Sequence, residues 1–291
     1  MYVVSIIYEY RSGGMYLHHS LDERPDPEAF QMHTHDTAEI LCFISGKGKY
    51  FVEGNYYQLT PGCILIMRSN ESHKLHIERT APYERIALRF PETLLLGIDP
   101  ERYLLRPFTL RPLGTANRYT PENTGIDFVR YMLSMIPETG SGEYIRRLAI
   151  TGVLPGLLYE LERYFSKNVT AVPDDKPKEM VASVIEYINS HLFDDFTLDT
   201  LSERFYISKS YLNRRFKEAT GSTLWNYVLI KRLMVAREEI RSGQPATKVF
   251  ASCGFKDYSG FYRQYRLHFG VSPKDDKLND MWTAADNNGG R

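Results

Sequence analysis

"SCGFKDYSGFYRQYRLHFGVSP", residues 252–273, interleaves aromatic rings with cationic side chains and closes on Gly-Val-Ser-Pro. Phe261, Tyr265 and Phe269 recur at i, i+4 and i+8, the spacing of one helix face, and are expected to be core. Arg263 lies off that stripe and is expected to face solvent or a polyanion. Asp257 stands where an N-cap would accept the first free N–H groups. Gly270 stands where a helix ends in the left-handed conformation.

The same design occurs 49 residues earlier, where "SKSYLNRRFKEATGST", 208–223, aligns with "DYSGFYRQYRLHFGVS", 257–272. Leu212 pairs with Phe261, Arg214 with Arg263, Phe216 with Tyr265, Lys217 with Arg266 and Gly221 with Gly270. Ser208 takes the N-cap place of Asp257. A shorter helical stretch precedes each unit, "LDTLSERFY" and "ATKVFASCGF". A short helix, a tight turn and a second helix with a basic face is the helix-turn-helix arrangement.

Between the two lies "STLWNYVLIKRLMVAREEIRSG", 222–243, whose apolar residues from Leu224 to Ile240 form one helical stripe. At 1.5 Å per residue that helix is roughly 28 Å long. Successive major-groove faces on one side of B-DNA lie about 34 Å apart. The connecting helix therefore has the order of length needed to hold two basic helices one turn of duplex apart. Charge follows the same division. Residues 176–275 hold 16 Lys and Arg against 11 Asp and Glu, leaving 20 against 25 elsewhere.

The 291 residues suffice for two domains. Cys42, Cys63 and Cys253 are widely spaced, form no CxxC pair and point to a reducing compartment. The opening "MYVVSIIYEYRSGG" lacks the basic and long apolar segments of a signal peptide, and no run of eighteen apolar residues predicts a membrane span. A cytoplasmic protein is expected.

Over residues 1–90, short strand-like runs alternate with turns, as in "EILCFISGKGKYFVEGNYYQLTPGCILIM", 39–67, which argues for an antiparallel barrel or sandwich. Residues 91–120 show no clear period, and from Pro121 the pattern becomes helical. "GEYIRRLAITGVLPGLLYELERYF", 142–165, carries Ile145, Leu148, Ala149, Leu157, Leu158 and Leu161 at helical spacing, with an interruption expected at Pro155. The fold class is α+β. A β-barrel with a helical extension spans 1–165, a linker 166–178, an all-α domain 179–278 and a polar tail 279–291.

Residues 179–278 resemble the DNA-binding domain of the AraC/XylS family of bacterial transcription regulators. The resemblance rests on Gly254-Phe255, Phe261, Arg263, Tyr265-Arg266 and Gly270-Val271-Ser272-Pro273. It implies base-edge contacts from Ser210, Asn213 and Arg214 in the first unit, and from Tyr258, Ser259, Tyr262 and Arg263 in the second. Arg to guanine is the expected specific contact. Lys209, Lys217 and Arg266 are expected on phosphates. The chain departs from the family pattern at Phe250, usually a small residue, and at Gly260, usually a larger one. The large side chain is expected to fill the space left by the small one.

In the first half, His33-x-His35-x3-Glu39-x6-Gly46, then Pro61-Gly62 and His73, resembles the paired motifs of cupin barrels. In metal-binding cupins the corresponding residues hold a divalent ion. In sensor barrels of the AraC type the interior takes a small organic effector. His33, His35, Glu39 and His73 are therefore expected either to form a polar effector pocket with no metal, to bind a metal, or to form a structural network. His18, His19 and His76 are expected at the surface or in loops.

The expected function is a non-enzymatic, sequence-specific regulator of transcription, controlled by a sugar-like effector and needing no cofactor. Its expected partners are promoter DNA, the effector, a second copy of the chain and, for an activator, RNA polymerase; no membrane is expected. Two alternatives stand beside it, a metal-dependent cupin enzyme with an appended DNA-binding domain and a constitutive DNA-binding protein with a structural barrel.

Overall fold

Turn chemistry divides the first half of the chain into strands. Gly13 and Gly14 both have positive φ (56° and 76°), as a two-residue hairpin turn of matching twist requires. They join β1 (Val4–Ser12) to β2 (Met15–Asp22). The remaining strands are β3 (Ala38–Ser45), β4 (Gly48–Val52), β5 (Asn55–Gln58), β6 (Ile64–Met67), β7 (His73–Ile77), β8 (Tyr83–Phe90) and β9 (Arg118–Tyr119). This computed structural model describes residues 4–30, 32–168 and 180–276. Its contacts divide the chain into two units, Met1–Glu179 and Met180–Arg291. Of the expected linker only 166–168 is described, and those residues are helical. The rest of the linker and the tail at 279–291 lie outside the described residues.

In unit 1 every strand pair is antiparallel. The strands form a six-stranded sheet, β1-β2-β8-β3-β6-β9, and a three-stranded sheet, β5-β4-β7. Side chains alternate across a strand, so each face of the larger sheet has its own core. Leu41, Phe43, Leu65, Met67 and Tyr83 point inward and pack with Tyr50, Val52, Leu75 and Ile77 of the smaller sheet. Ile40, Cys42, Ile64, Ile66, Ile86 and Leu88 point outward beneath helices. Those helices are α1 (Arg106–Thr109), α3 (Phe128–Ser134) and α4 (Glu143–Asn168), while the short α2 (Pro121–Thr124) buries no residue. Phe108, Phe128, Met132, Leu154, Leu157, Leu158 and Leu161 supply the covering layer.

Pro155 does not interrupt α4, contrary to the sequence expectation. The hydrogen bond it removes would have gone to the carbonyl of Thr151, and both residues are half-exposed. Water can satisfy that carbonyl, while burial of Leu154, Leu157 and Leu158 holds the helix down. Ile145 and Leu148 lie in this helix but are exposed, and the buried stripe begins at Ile150.

Unit 2 is helical. It comprises α5 (Met180–Ser190), α6 (Leu198–Phe205), α7 (Lys209–Thr220), α8 (Leu224–Arg241), α9 (Ala246–Ser252) and α10 (Tyr258–Phe269). In the second half of the unit, Leu233, Ala236 and Ile240 of α8 pack with Val249, Cys253, Phe261 and Tyr265. Asp276 closes this core at the C-terminal side. Its carboxylate accepts from Arg237 (2.7 Å), Arg241 (2.9 Å) and the Tyr265 hydroxyl (2.8 Å). These partners outweigh burial, which alone would raise the carboxyl, and hold it below its ordinary range.

Candidate functional site

Both expected recognition helices form, with the expected caps. The Ser208 hydroxyl accepts from the Tyr211 N–H at 3.2 Å, and α7 ends at Gly221 with φ 78°. The Asp257 carboxylate accepts from the Gly260 N–H at 2.7 Å, and α10 ends at Gly270 with φ 74°. Each helix buries one stripe, Leu212, Phe216 and Thr220 in α7, Phe261 and Tyr265 in α10.

On the opposite side of α7, Lys209, Ser210, Arg214 and Lys217 are exposed and Asn213 is half-buried. On α10, Tyr258, Ser259, Arg263 and Arg266 are exposed and Tyr262 is half-buried. Several of these cations already have acidic neighbours. Lys209 pairs with Asp199 of α6, and Arg214 lies 3.9 Å from Glu218, which also accepts from Arg215 at 2.9 Å. Exposed pairs of this kind contribute little and are readily exchanged for phosphate.

Phe250 and Gly260 do not fill one another's space. The Phe250 ring meets Tyr258 (5.7 Å between centroids) and Phe261 (6.5 Å). A Cβ on Gly260 would instead meet the capping carboxylate of Asp257 at 3.0 Å. The glycine therefore leaves room for the cap rather than for the phenyl ring.

Arg232 of α8 was not singled out in the sequence. Its guanidinium donates to the carbonyls of Leu192 (2.7 Å), Asp194 (3.0 Å) and Gly254 (2.7 Å). It thus ties the connecting helix to the segment before the first helix-turn-helix and to the turn within the second. Nothing in the spacing of 222–243 marks this residue, because its acceptors are backbone carbonyls far away in sequence.

In unit 1 the four candidate residues converge. His33 and His73 form a backbone bridge, N–H to carbonyl in both directions at 3.1 and 2.9 Å. The three imidazoles of His33, His35 and His73 place one nitrogen each within 4.8 Å of the others. Glu39 Oε2 lies 3.0 Å from His35 Nε2 and 3.4 Å from His73 Nε2. His73 Nδ1 donates to the Glu71 carbonyl at 2.7 Å, which turns Nε2 toward the cluster. Burial would raise Glu39, but the two imidazoles outweigh it and hold the carboxyl well below the usual range. Burial would likewise lower His73, and Glu39 outweighs it, raising the imidazole.

Glu39 Oε2 and His73 Nε2 are both buried, and neither completes a well-aligned hydrogen bond. Three imidazole nitrogens with one carboxylate suit a divalent ion such as zinc, iron, manganese or nickel. The residues present fit such an ion.

The register adds residues to this site. Arg89 of β8 sits opposite Glu39 of β3 and Tyr16 of β2, so all three share the inward face. Arg85, His18 and Ser20 lie on the same face, at alternate positions along their strands. His18 and His19 are buried on β2, and His76 is half-buried on β7, so none of them lies in a loop as expected. Consecutive on β2, the two histidines lie on opposite faces; His18 stacks on Tyr16 on the inward face and His19 meets Glu84 at 2.8 Å on the other.

Two family models match the chain. An AraC-like ligand-binding domain covers residues 21–124, and a helix-turn-helix domain covers 201–277. Among curated proteins, the chain is 25% identical over 262 residues to the HTH-type transcriptional activator RhaS of Escherichia fergusonii, covering 88% of this chain and 90% of that one. The RhaS of Klebsiella pneumoniae is 24% identical over 261 residues with the same coverage. Among solved structures, ToxT of Vibrio cholerae O395 aligns with 91% of this chain and 97% of its own, at 12% identity and a TM-score of 0.37. The C-terminal domain of AraT, a response regulator from Geobacillus stearothermophilus, aligns with 36% of this chain and 88% of its own, at 23% identity and a TM-score of 0.34. Among the described residues no helix is long and apolar enough to cross a membrane.

Proposed function

The chain belongs to the AraC family of transcription regulators, with a ligand-binding domain and a DNA-binding domain, and on that premise we propose that a sugar-like effector bound in the barrel controls promoter binding by α7 and α10. The observation that carries the reading is the repeat in unit 2. Two capped helices flank one 18-residue helix, and each turns a basic face outward. In this reading Arg214 and Arg263 read base edges, with Ser210, Asn213, Tyr258, Ser259 and Tyr262 beside them. Lys209, Lys217 and Arg266 neutralise phosphates and set register.

The effector site consists of His33, His35, Glu39 and His73. The chain acts in the cytoplasm as a homodimer and performs no catalysis. The exposed apolar side chains of α4, Tyr144, Ile145, Leu148 and Tyr159, support a face for the second copy. The similarity to the transcriptional activator RhaS supports RNA polymerase as a further partner.

The test is binding of the full chain to genomic fragments across a salt series. The reading expects one fragment to be retained specifically, with log affinity falling linearly with log salt. It also expects Arg214→Ala or Arg263→Ala to remove the preference between fragments. Equal binding to every fragment, unchanged by either substitution, would overturn it.

A second reading, that the barrel holds a divalent ion, is favoured by the convergence of three imidazoles and Glu39. Metal analysis of untagged protein before and after His73→Ala decides between them. Stoichiometric metal that the substitution removes would establish the ion, and its absence in both would leave the organic effector.

A further inference from the structure

The inward face of β8 carries two arginines, Arg85 and Arg89, four residues apart and therefore on one side of the strand. Each guanidinium is backed by rings. Arg89 lies over Tyr16 at 4.4 Å, and its Nη1 is 3.1 Å from His35 Nδ1. Arg85 lies over Tyr83 at 4.9 Å and near Phe30 at 5.5 Å. His18, buried on the neighbouring strand, stacks on Tyr16 at 5.6 Å. Among the described residues neither arginine forms an ion pair with a carboxylate. The acid opposite Arg89, Glu39, is engaged by His35 and His73 instead.

A guanidinium uses its face for ring stacking and its edge for hydrogen bonds. Tyr16 and Tyr83 occupy faces and leave N–H edges for another acceptor. Two half-buried cations share one carboxylate, Glu39, which two imidazoles already engage, so a bound anion lowers the cost of holding both charges there. A neutral polyol would hydrogen-bond here but would add no negative charge to that of Glu39, which His35 and His73 already engage. A carboxylate matches the planar fork of arginine with two parallel bonds.

We propose that the effector is a carboxylated sugar, a uronic or aldonic acid, whose carboxylate is held by Arg85 and Arg89 and whose hydroxyls reach His35 and Glu39. The inference rests on the barrel being the effector site. It assigns the recognition of charge to β8, beside the histidine cluster rather than in it.

The test measures thermal shift and calorimetric affinity of the full chain with glucuronate, galacturonate and gluconate. Glucose, galactose and glucitol serve as neutral counterparts, and glucose 6-phosphate as a phosphate control. The expected result is a rise in Tm with at least one acid and none with its neutral counterpart. Arg85→Gln and Arg89→Gln are each expected to weaken that acid by roughly tenfold or more, the scale of a lost charge-assisted hydrogen bond. Unliganded Tm of both variants is measured alongside, and should Arg89→Gln fail to fold, Arg85→Gln carries the test. Neutral sugars binding better than their acids would overturn the anion while leaving the effector site intact. Stronger binding of glucose 6-phosphate than of every acid would overturn the carboxylate. No shift with any of these probes would overturn the proposal and the sugar-like effector reading together.

Discussion

Arg232 donates from Nη1 to the Gly254 carbonyl at 2.7 Å, and Gly254 has φ 77° with no room for a side chain beneath that guanidinium. A Cβ there would sit 2.8 Å from Arg232 Cζ. The pair fixes the turn of the second helix-turn-helix against the connecting helix. Arg232→Ala is expected to cost about 1.5–3 kcal/mol, the scale of lost hydrogen bonds to a charged group. It is also expected to weaken binding to a two-turn DNA site more than to a single half-site. Denaturant melts and titrations on both DNAs check this, and equal weakening on the two would show that Arg232 does not set the spacing.

Asp276 predicts an acid limit for unit 2. Its folded-state carboxyl is held below the ordinary range, first against the opposing effect of burial, by Arg237, Tyr265 and Arg241. A depressed carboxyl contributes stability that is fully present above its unfolded value, about 4. That contribution shrinks as the pH falls from there to the lower folded-state value. Asp276→Ala is expected to cost about 3 kcal/mol at neutral pH, because Arg237, Arg241 and Tyr265 all lose the buried carboxylate that accepts from them. It is also expected to flatten the acid limb of the stability profile, and a variant with an unchanged limb would assign that limb to other carboxylates.

Substitutions at the expected base-reading and phosphate-contacting positions of the outer helix faces are expected to behave differently. Arg214→Ala and Arg263→Ala are expected to lose about 1–3 kcal/mol at one base position and to relax specificity there. Lys217→Ala and Arg266→Ala are expected to weaken all sequences alike and to reduce the salt slope by about one. Competition assays with single-base variants of the site separate the two classes.

Phe250 and Gly260 are expected to act independently. Phe250→Ala is expected to lower stability by about 2 kcal/mol, less than the roughly 3–5 of a fully buried ring. Its ring is half-buried on Tyr258 and Phe261. Gly260→Ala gains about 1 kcal/mol of helix propensity but presses on the Asp257 cap. Its net effect is expected to lie near zero. A double-mutant cycle with a large coupling energy would contradict this independence.

Much of unit 2 was legible in the sequence because its signals are local. Caps at Ser208 and Asp257, left-handed glycines at Gly221 and Gly270 and the stripe Phe261–Tyr265 act within a few turns of chain. Pro155 misled because a local rule met a tertiary one, and burial on one side of α4 outweighed a single lost hydrogen bond on the other. His18 and His19 misled for a related reason, since register rather than local spacing places His18 on the inward face against Tyr16 and His19 on the other face beside Glu84.

The sequence by itself determined that two helix-turn-helix units share one connecting helix; it groups His33, His35, Glu39 and His73 only by resemblance to cupin motifs. Helical period, caps and motif spacing are properties of neighbouring residues. Only the tertiary structure decided that Arg85 and Arg89 face inward beside Tyr16 and His35, and that Arg232 bonds carbonyls 40 and 22 residues away. Strand register sets which side chains share a face, and a shift of one residue would turn both arginines outward.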